Sequence, residues 1–516
     1  MTAQERLERK REKGSAQSAV VQRNDLALVC YTPVVWKLRS RLAYITILIA
    51  ALPLIAQSPS GTVAFMPYSD AKPILEALEE ALPAELRDIP AEKREAAWID
   101  WAKSRDTQIR ARLAQGDEDT VVNFLVFGTS FTHQSRLRPE LLRRLRDTEH
   151  EVSSKQTESS IPQLLRGRIQ DLLISMESRR GNERLAFARR VLARRGFGIR
   201  TPAERVRAAQ FLEGRLMTML KEEITYAEMI QSARQLGNAT EELAERSTLF
   251  RDRGLSLDTS WRPDFAIEES LRVLKDRGLI LPGSVHRVAV IGPGLDFTDK
   301  QEGYDFYPLQ TIQPFAVIDS LLRTGLARPD KLEVTTLDIS SRVNEHIARM
   351  RGAAVRGRGY TIQLPLDQQT PWKPDAVRYW RRFGDQISTQ VPSLAVPREI
   401  TGLQVRALHI PPEVVRRVHP VDLDIVLQRV DCLNFSKRFD LVIATNVLVY
   451  YGVFEQSLAL SNIQAMLQPG GFLLSNNALL ELPFSRIRSI GYRTTVYSEH
   501  LDDGDHMVWY QRRLEP

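Results

Sequence analysis

Between residues 66 and 280 the apolar residues recur every three or four positions, which is the spacing of one face of an α-helix. The pattern predicts a series of packed helices, the first capped by Asp70, and it predicts that one of them stops at Gly116. The stripes that carry this prediction are Leu75, Leu78 and Leu82; Trp98, Trp101, Ile109 and Leu113; Leu165, Ile169, Leu172 and Met176; and Leu212, Leu216 and Met219.

The stretch VVNFLVFGTSF, residues 121–131, departs from this spacing because it is apolar almost throughout. Its β-branched residues suit a buried strand, and a central helix fits it equally well. Ser130 follows a glycine in this stretch but lacks the second glycine of a nucleophile elbow, which weighs against a hydrolase.

From residue 284 the pattern changes to short β-branched apolar runs that alternate with amphipathic segments, which favours a parallel sheet covered on both faces. Two strand-like runs in residues 491–513 flank Asp-Asp-Gly-Asp and predict an antiparallel hairpin. The predicted strands are Arg287–Ile291, Leu332–Leu337, Ile425–Val430, Leu441–Ala444 and Phe472–Ser475.

These patterns predict a mainly α-helical domain over residues 62–283, followed by an α/β domain over residues 284–516. The α/β domain is expected to be a doubly wound, Rossmann-like sheet, mostly parallel and closed by the C-terminal hairpin. At 516 residues, more than one domain is expected.

The N-terminal residues indicate in which cellular compartment the protein is expected. Residues 1–36 are polar and are expected to be disordered, and residues 37–61 resemble a signal peptide or membrane anchor because the basic KLRSR precedes an apolar run at residues 42–56. A buried helix is the alternative. If residues 42–56 act as a signal or anchor, the chain is exported or membrane-associated; otherwise it is cytoplasmic.

Composition excludes a multi-span membrane protein, since 43% hydrophobic and 26% charged residues describe a soluble globular chain. Cys30 and Cys432 have no metal-binding spacing, and they are two free thiols or one disulfide. The net charge of +7 over this length is no nucleic-acid signature. Ten arginines between Arg179 and Arg207 form a solvated helix face or bind an anionic membrane surface.

Several residues at the predicted strand ends suit the binding of a nucleoside. Parallel α/β sheets bind ligands outside the carboxyl ends of their strands, where the strand order reverses. Gly292 and Gly294 allow the backbone to approach a ligand after the first strand. Asp338 ends the next strand, where a carboxylate accepts hydrogen bonds from ribose hydroxyls, and Asp431 follows the third strand, where it suits the exocyclic amine of adenine.

Residues 284–513 resemble class I S-adenosylmethionine-dependent methyltransferases. The segment FDLVIATNVLVYY, followed by LQPGGFLL, is similar to the matching region of chemotaxis-receptor methyltransferases. The resemblance implies S-adenosyl-L-methionine as the cofactor, with an acceptor that it leaves unknown. It places Gly292 and Gly294 beside the methionine part, Asp338 at the ribose, Asp431 at the adenine, Asn446 near the transferred methyl, and Tyr450 and Tyr451 in an aromatic wall.

The chain also departs from the family pattern. Val290 stands where the family usually has an acidic residue. Asp296 replaces the third glycine and is itself a candidate cofactor-binding residue beside the turn. Insertions at residues 297–315 and 351–420 are expected to lie over the cofactor face, where they either form a lid or a substrate pocket or block the site. Tyr304 and Tyr307 are the predicted pocket residues of the first insertion.

Methyl transfer depends on positioning an activated methyl group, so no strong catalytic motif is expected, and no general base is assigned. DDGDH at residues 502–506 lies in a predicted hairpin turn, and no metal site is predicted. Two alternatives remain. One is a methyltransferase-like scaffold or envelope protein without cofactor, and the other is an NAD(P)-dependent oxidoreductase, which requires the third glycine and an earlier acidic residue.

Overall fold

The computed structural model describes residues 62–134, 160–177, 181–235, 254–297, 304–431, 437–500 and 503–514. Residues Pro59–Pro516 cluster as one compact unit, which contains all of them. The predictions for residues 1–36 and 37–61, including the apolar run at 42–56, lie outside the described residues, as do both cysteines. None of the helices in the described ranges combines the length and apolarity that a membrane crossing requires.

Most of the described residues before residue 280 are helical, which agrees with their apolar spacing. The helices are α1 (Tyr68–Ala77), α2 (Ala84–Arg87), α3 (Arg94–Phe127), α4 (Ser160–Ser175), α5 (Glu183–Arg194), α6 (Pro202–Gln235) and α7 (Arg262–Asp276), after a short strand β1 (Val63–Phe65).

The predicted helix stop at Gly116 is wrong, because α3 continues through it for another eleven residues, to Phe127. A Cβ atom at Gly116 would lie 1.9 Å from the carbonyl oxygen of Leu255, so the glycine allows another segment to cross the helix at close range. The apolar run that begins at Val121 is buried on every side, which explains why it lacks an amphipathic period.

A seven-stranded sheet forms the centre of the α/β part. Its strands are β2 (Arg287–Ile291), β3 (Glu333–Asp338), β7 (Val418–Asp422), β9 (Phe439–Ala444), β10 (Leu467–Ser475), β11 (Ile487–Val496) and β12 (Gly504–Arg512). They lie in the order β11-β12-β10-β9-β2-β3-β7. Strands β10, β9, β2, β3 and β7 are parallel neighbours, and β12 runs antiparallel to both β10 and β11. The Rossmann-like α/β fold is thus confirmed.

Helices cover both faces of the sheet, as the buried apolar strands require. Val290 and Leu441 belong to one core cluster and Ala289 and Val442 to another, so consecutive side chains of β2 and of β9 point into different layers. The helices of this part are α8 (Gln313–Arg323), α9 (Ser341–Val355), α10 (Pro374–Arg382), α11 (Pro412–Val415) and α12 (Val453–Met466).

The predicted strand Ile425–Val430 is not a strand of this sheet. Only its last three residues, β8 (Gln428–Val430), are extended, and they pair with β1 in a separate two-stranded sheet. The third strand along the chain in the large sheet is β7. The intervening residues turn because Asp424 accepts a hydrogen bond from the Val426 N–H (2.9 Å), so buried apolar residues in this stretch do not imply a strand.

The insertion at residues 351–420 begins inside α9 and forms its own three-stranded antiparallel sheet. Its strands are β4 (Tyr360–Asp367), β5 (Thr389–Val391) and β6 (Leu403–Ile410), in the order β4-β6-β5. Asp319 of α8 joins the insertion to the main core by accepting the N–H groups of Gly384 (3.0 Å) and Gln386 (2.9 Å).

The helical and α/β parts pack together without a division into two compact units at residue 283. Helix α7 lies before the predicted boundary but packs against α8 and β12. Arginines of α3 reach the α/β part. Arg105 pairs with Glu455 (2.7 Å), Arg110 pairs with Asp422 (2.7 Å), and Arg112 donates to the Tyr450 carbonyl (3.0 Å).

Candidate cofactor site

A cavity lies at the carboxyl ends of β2, β3 and β9, and it encloses about 710 Å³ of space including its opening to solvent. The chain builds β3 and β7 on one side of β2 and then returns to build β9 on the other, so the strand order reverses at this point. Open α/β sheets bind ligands at such a crevice. The cavity is lined by Leu113, Leu255, Ser256, Leu257, Asp258, Thr259, Ile291, Gly292, Gly294, Gln313, Leu337, Asp338, Ile339, Leu423, Ile425, Thr445, Asn446, Val447, Tyr450 and Tyr451.

Gly292 and Gly294 form a tight turn after β2, and both have left-handed backbones, with φ of 62° and 65°. A Cβ at Gly294 would meet the Leu257 carbonyl oxygen at 2.5 Å, and one at Gly292 would meet the Val447 side chain at 2.5 Å. The Leu295 N–H donates to this same Leu257 carbonyl (2.8 Å). The bare turn therefore accommodates neighbouring segments of the chain as well as bordering the cavity.

Asp338 ends β3 and lines the cavity with only 4% of its surface exposed. One carboxylate oxygen accepts the Ser340 N–H (2.8 Å), whereas Oδ2 has no hydrogen-bond partner among the described residues. Burial raises the pKa of Asp338 to about 7, and the neighbouring carboxylate of Asp422 contributes to the rise. The unpartnered oxygen is an acceptor available to a ligand.

Asn446 follows β9 at the opening of the cavity and is the one non-glycine residue with positive φ (57°) in the part of the chain that the structure describes. Its N–H donates to the Asn476 side chain (2.9 Å), and Asn476 donates back to the Asn446 side-chain oxygen. The exchange holds a backbone conformation that asparagine tolerates better than most residues. Asn446 is thereby presented, exposed, beside the end of β10.

Tyr450 and Tyr451 line the cavity on the β9 side and are buried. The guanidinium of Arg112 lies 5.8 Å from the ring centre of Tyr451. Burial, together with the carboxylates of Asp424 and Glu455, raises the pKa of Tyr451 well above its usual value, so this phenol stays protonated. The pair presents aromatic surface to the cavity.

The structure does not bring four of the predicted site residues to the cavity. Asp431 is exposed beside the two-stranded sheet, where its N–H donates to Thr62 (2.8 Å). Asp431 does not reach the cavity because β8, the strand before it, is not part of the main sheet. Asp296 accepts hydrogen bonds from Tyr307 (3.0 Å) and Gln310 (2.8 Å), and it lies buried with Tyr304 away from the cavity lining.

The loop that carries these residues is held by Arg184 of α5, which is 2% exposed. Its guanidinium donates to the carbonyls of Asp296 (3.1 Å) and Asp305 (3.2 Å) and to those of Phe297 and Tyr307. Of the two insertions expected to form a lid, only Gln313 lines the cavity. The expected lid over the cavity is therefore not observed among the described residues.

One wall of the cavity comes from the helical part, and no sequence pattern predicts it. Leu113 of α3 and residues 255–259 contribute this wall, including the carboxylate of Asp258. The Thr120 hydroxyl donates to Asp258 (3.3 Å), and Asp258 forms a parallel bridge with Leu295. The sequence carries no local signal for this wall because it depends on a backbone crossing between distant segments.

The charged side chains that line the cavity are acidic. Among the described residues, the lining contains two carboxylates, Asp258 and Asp338, and no lysine, arginine or histidine. Anionic phosphates require cationic side chains or exposed N–H groups, whereas a cation or a set of hydroxyl donors matches this lining. The charged side chains of the lining therefore favour a neutral or cationic ligand.

No group of residues suited to hold a metal ion is found in the described ranges. In the DDGDH segment, Asp503 pairs with Arg262 (2.9 Å), and Asp505 accepts the Tyr497 hydroxyl. The arginine tract is partly structural, since Arg184 is buried and Arg194, Arg195 and Arg205 pair with acidic residues, while Arg189 and Arg190 are exposed. Binding to an anionic membrane surface stays a prediction.

No family model matches the chain, and no curated protein matches it. It is similar to the N-methyltransferase NodS from Bradyrhizobium japonicum WM9, at 13% identity over 48% of this chain and 99% of that one, with a TM-score of 0.22. It is also similar to magnesium protoporphyrin IX methyltransferase from Synechocystis PCC 6803, at 11% identity over 53% of this chain and 84% of that one, with a TM-score of 0.22. A third similar structure is the carbon methyltransferase CurJ, at 13% identity over 87% of this chain and 100% of that one, with a TM-score of 0.22. Likenesses this weak support no argument, so the fold assignment depends on the strand order.

Proposed function

We propose that this protein is an S-adenosylmethionine-dependent methyltransferase and that the cavity at the ends of β2, β3 and β9 holds the cofactor. The observation that carries the proposal is the unpartnered Oδ2 of Asp338, a buried acceptor at the tip of the strand next to the glycine turn. Ribose hydroxyls supply the donors that this oxygen lacks. A buried acceptor without a partner costs free energy that a bound hydroxyl would recover.

The charge of the lining supports this cofactor over a nicotinamide dinucleotide. S-adenosylmethionine has a net positive charge, because its sulfonium and ammonium outweigh its carboxylate, and this charge suits a lining whose charged side chains are the carboxylates of Asp258 and Asp338. A dinucleotide carries a diphosphate, for which the described part of the lining has no cationic side chain. The sequence also lacks the third glycine of a dinucleotide-binding motif, and its acidic residue, Asp338, comes later in the chain than that motif requires.

Asp258 also supplies a carboxylate in place of the acidic residue that the family has at the position of Val290. Val290 is buried and faces the core, but Asp258 brings a carboxylate to the same turn through its bridge with Leu295. In the proposed site Asp338 holds the ribose, residues 292–294 border the methionine part, and Asn446 lies near the reacting methyl with Tyr450 and Tyr451 beside it.

When bound, S-adenosylmethionine supplies a methyl group already activated on a sulfonium, so the residues of this chain have to position it and exclude water. The aliphatic lining, which includes the buried Leu255 and Leu423 and the partly buried Leu113, excludes water, and the two tyrosines complete that surface. No general base is assigned.

Calorimetric titration of the full chain tests the proposal. We expect S-adenosylmethionine and its product S-adenosylhomocysteine to bind, and NAD and NADP not to bind at the same concentrations. No heat from a folded protein with either adenosyl compound would reject the cofactor assignment and leave the scaffold alternative. Binding of the dinucleotides alone would favour the oxidoreductase.

A further inference from the structure

A groove runs between α3 and the end of α5, and it encloses about 860 Å³ of space including its opening to solvent. Three of the side chains that line it are arginines, Arg112 of α3 and Arg194 and Arg195 at the end of α5. Glu118 is the one carboxylate among the described residues of its lining. The charged side chains of the groove are therefore mostly basic, whereas those of the cofactor cavity are acidic.

Acidic residues of α3 hold two of these arginines in place. Arg194 donates to Asp117 (2.5 Å). Arg195 donates to the buried Glu118, which also lies 3.3 Å from Arg215. The side chains of Arg194 and Arg195 are nevertheless 52% and 51% exposed. Since a guanidinium has five N–H donors, one bond to a carboxylate leaves others available for a second anion.

Positive charge exceeds negative charge in the groove and in the ion pairs that support it. Arg215 of α6 pairs with Asp119 (2.6 Å), and Arg342 of α9 lies 3.7 Å from Asp117. The groove and these ion pairs thus contain five arginines and three carboxylates, those of Asp117, Glu118 and Asp119. An anion in the groove would reduce this excess of positive charge.

Arg112 connects the groove to the cofactor cavity. Its guanidinium donates to the Tyr450 carbonyl (3.0 Å) and lies 5.8 Å from the ring centre of Tyr451, and both tyrosines line the cavity. Leu113, the next residue of α3, also lines the cavity. An anion in the groove would therefore lie next to the wall that is proposed to adjoin the reacting methyl.

We infer that the groove binds an anionic group, a carboxylate or a phosphate, of the methyl acceptor. This inference rests on the proposed function, and it names a class of acceptor. The cationic cofactor suits the acidic lining of the cavity, and an anionic acceptor suits the basic lining of the neighbouring groove. Arginine recognises both kinds of anion, because its planar N–H groups bind two oxygens of a carboxylate or a phosphate.

Inorganic phosphate and glutarate are the two probes, one for each kind of anion. We expect at least one of them to bind the full chain in calorimetry at low ionic strength, where charges are least screened. The stronger probe identifies the chemistry of the anion. It is expected to bind equally well in the presence of saturating S-adenosylhomocysteine, because the groove and the cavity are separate sites.

Arginine variants locate the probe in the groove. Arg194→Gln and Arg195→Gln each remove one guanidinium and are expected to weaken the stronger probe about tenfold. Arg189→Gln is the matched control, because it removes the same charge from an exposed position of α5 that does not line the groove. This control should bind the probe within about twofold of the parent.

Ala114 allows a test that leaves the ion pairs intact, because it is exposed and lines the groove. Ala114→Glu places a carboxylate in the groove and is expected to weaken the probe about tenfold or more. Ala114→Gln adds a side chain of the same size without charge and should weaken the probe by less than about threefold. Should the arginine variants fail to fold, this pair decides.

The acceptor role is tested with labelled S-adenosylmethionine and pairs of small amines, thiols and phenols, each with a carboxylate or its neutral amide. Label is expected in the charged members, and label in the neutral members alone would overturn the acceptor assignment. If no member is labelled, the titrations decide. The inference is also overturned if neither probe binds, if the probe displaces S-adenosylhomocysteine, if Arg189→Gln weakens the probe as much as the groove variants do, or if the two Ala114 variants behave alike. Failure of the proposed function is a different result, since the groove would then bind the probe while the parent protein binds neither adenosyl compound.

Discussion

Asp338 and Asp424 are two buried aspartates with the same local chemistry, and only Asp338 faces the cavity. In each, one oxygen accepts the N–H of the residue two positions later, Ser340 (2.8 Å) or Val426 (2.9 Å), and the other oxygen has no hydrogen-bond partner among the described residues. Burial raises both pKa values to about 7. The pair therefore separates the effect of ligand contact from the effect of a buried carboxyl group.

Asp338→Asn is expected to weaken S-adenosylhomocysteine by about 10- to 100-fold, because it removes a charged acceptor from the ribose hydroxyls. Asp424→Asn is the matched control and should leave the affinity within about twofold. Calorimetry at pH 8, where both carboxyl groups are mostly ionised, makes the comparison. Equal losses in the two variants would contradict the assignment of Asp338.

Stability should fall as pH rises from about 4 to about 7. The carboxyls of Asp338, Asp424 and Asp319 ionise near their usual pKa in the unfolded chain, but only at about 7, 7 and 6 in the folded protein. Between these values the folded state binds more protons, so each added pH unit costs up to about 1.4 kcal/mol per group.

Urea unfolding of Asp424→Asn checks this sign. Relative to the parent, the variant should gain up to about 4 kcal/mol in the free energy of unfolding when pH is raised from 4 to 7.5, since it has no carboxyl to ionise there. A stability difference that does not change with pH would show that Asp424 titrates normally.

Gly116→Ala is expected to destabilise the protein by about 2–4 kcal/mol and to weaken cofactor binding, because the new methyl group would displace the Leu255 carbonyl and the cavity wall that follows it. Gly214 in α6 is the matched control, with nothing within 4 Å of its would-be Cβ. Gly214→Ala should stabilise by up to about 1 kcal/mol through helix propensity.

Thermal melts compare the stability of the two glycine variants, and titration with S-adenosylhomocysteine compares their affinity for the ligand. If Gly116→Ala binds the ligand like the parent, residues 255–259 do not form a functional wall of the site.

Arg184→Met should cost about 3 kcal/mol of stability, because it leaves four backbone carbonyls without their buried donor. Arg189→Met, an exposed position on the same helix, is expected to change stability by less than about 0.5 kcal/mol.

Chemical denaturation measures both arginine variants, and calorimetry adds a second comparison. Since the loop that Arg184 holds does not line the cavity, the folded Arg184→Met should keep its affinity for S-adenosylhomocysteine. A large loss of affinity would contradict this prediction and indicate that the loop acts as a lid over the cavity.

Local sequence patterns were sufficient for the strands that build the centre of the site. Arg287–Ile291 is a strand with the predicted bounds, and the glycine turn after it, Asp338 and Asn446 all lie where the end of a buried strand places them. These features are predictable because a continuous β-branched run in a parallel sheet fixes both the strand and the edge at which its carboxyl end emerges.

Only the tertiary structure decided that Asp431 lies outside the cavity and that Asp258 lines it. Asp431 follows an apolar run, but that run turns at Asp424 and pairs with β1, about 360 residues earlier in the chain, so Asp431 leaves the sheet edge. Asp258 enters the site only because Gly116 and Gly294 let residues 255–259 approach two backbones closely. Such crossings depend on contacts between distant segments, and no local period of apolar residues records them.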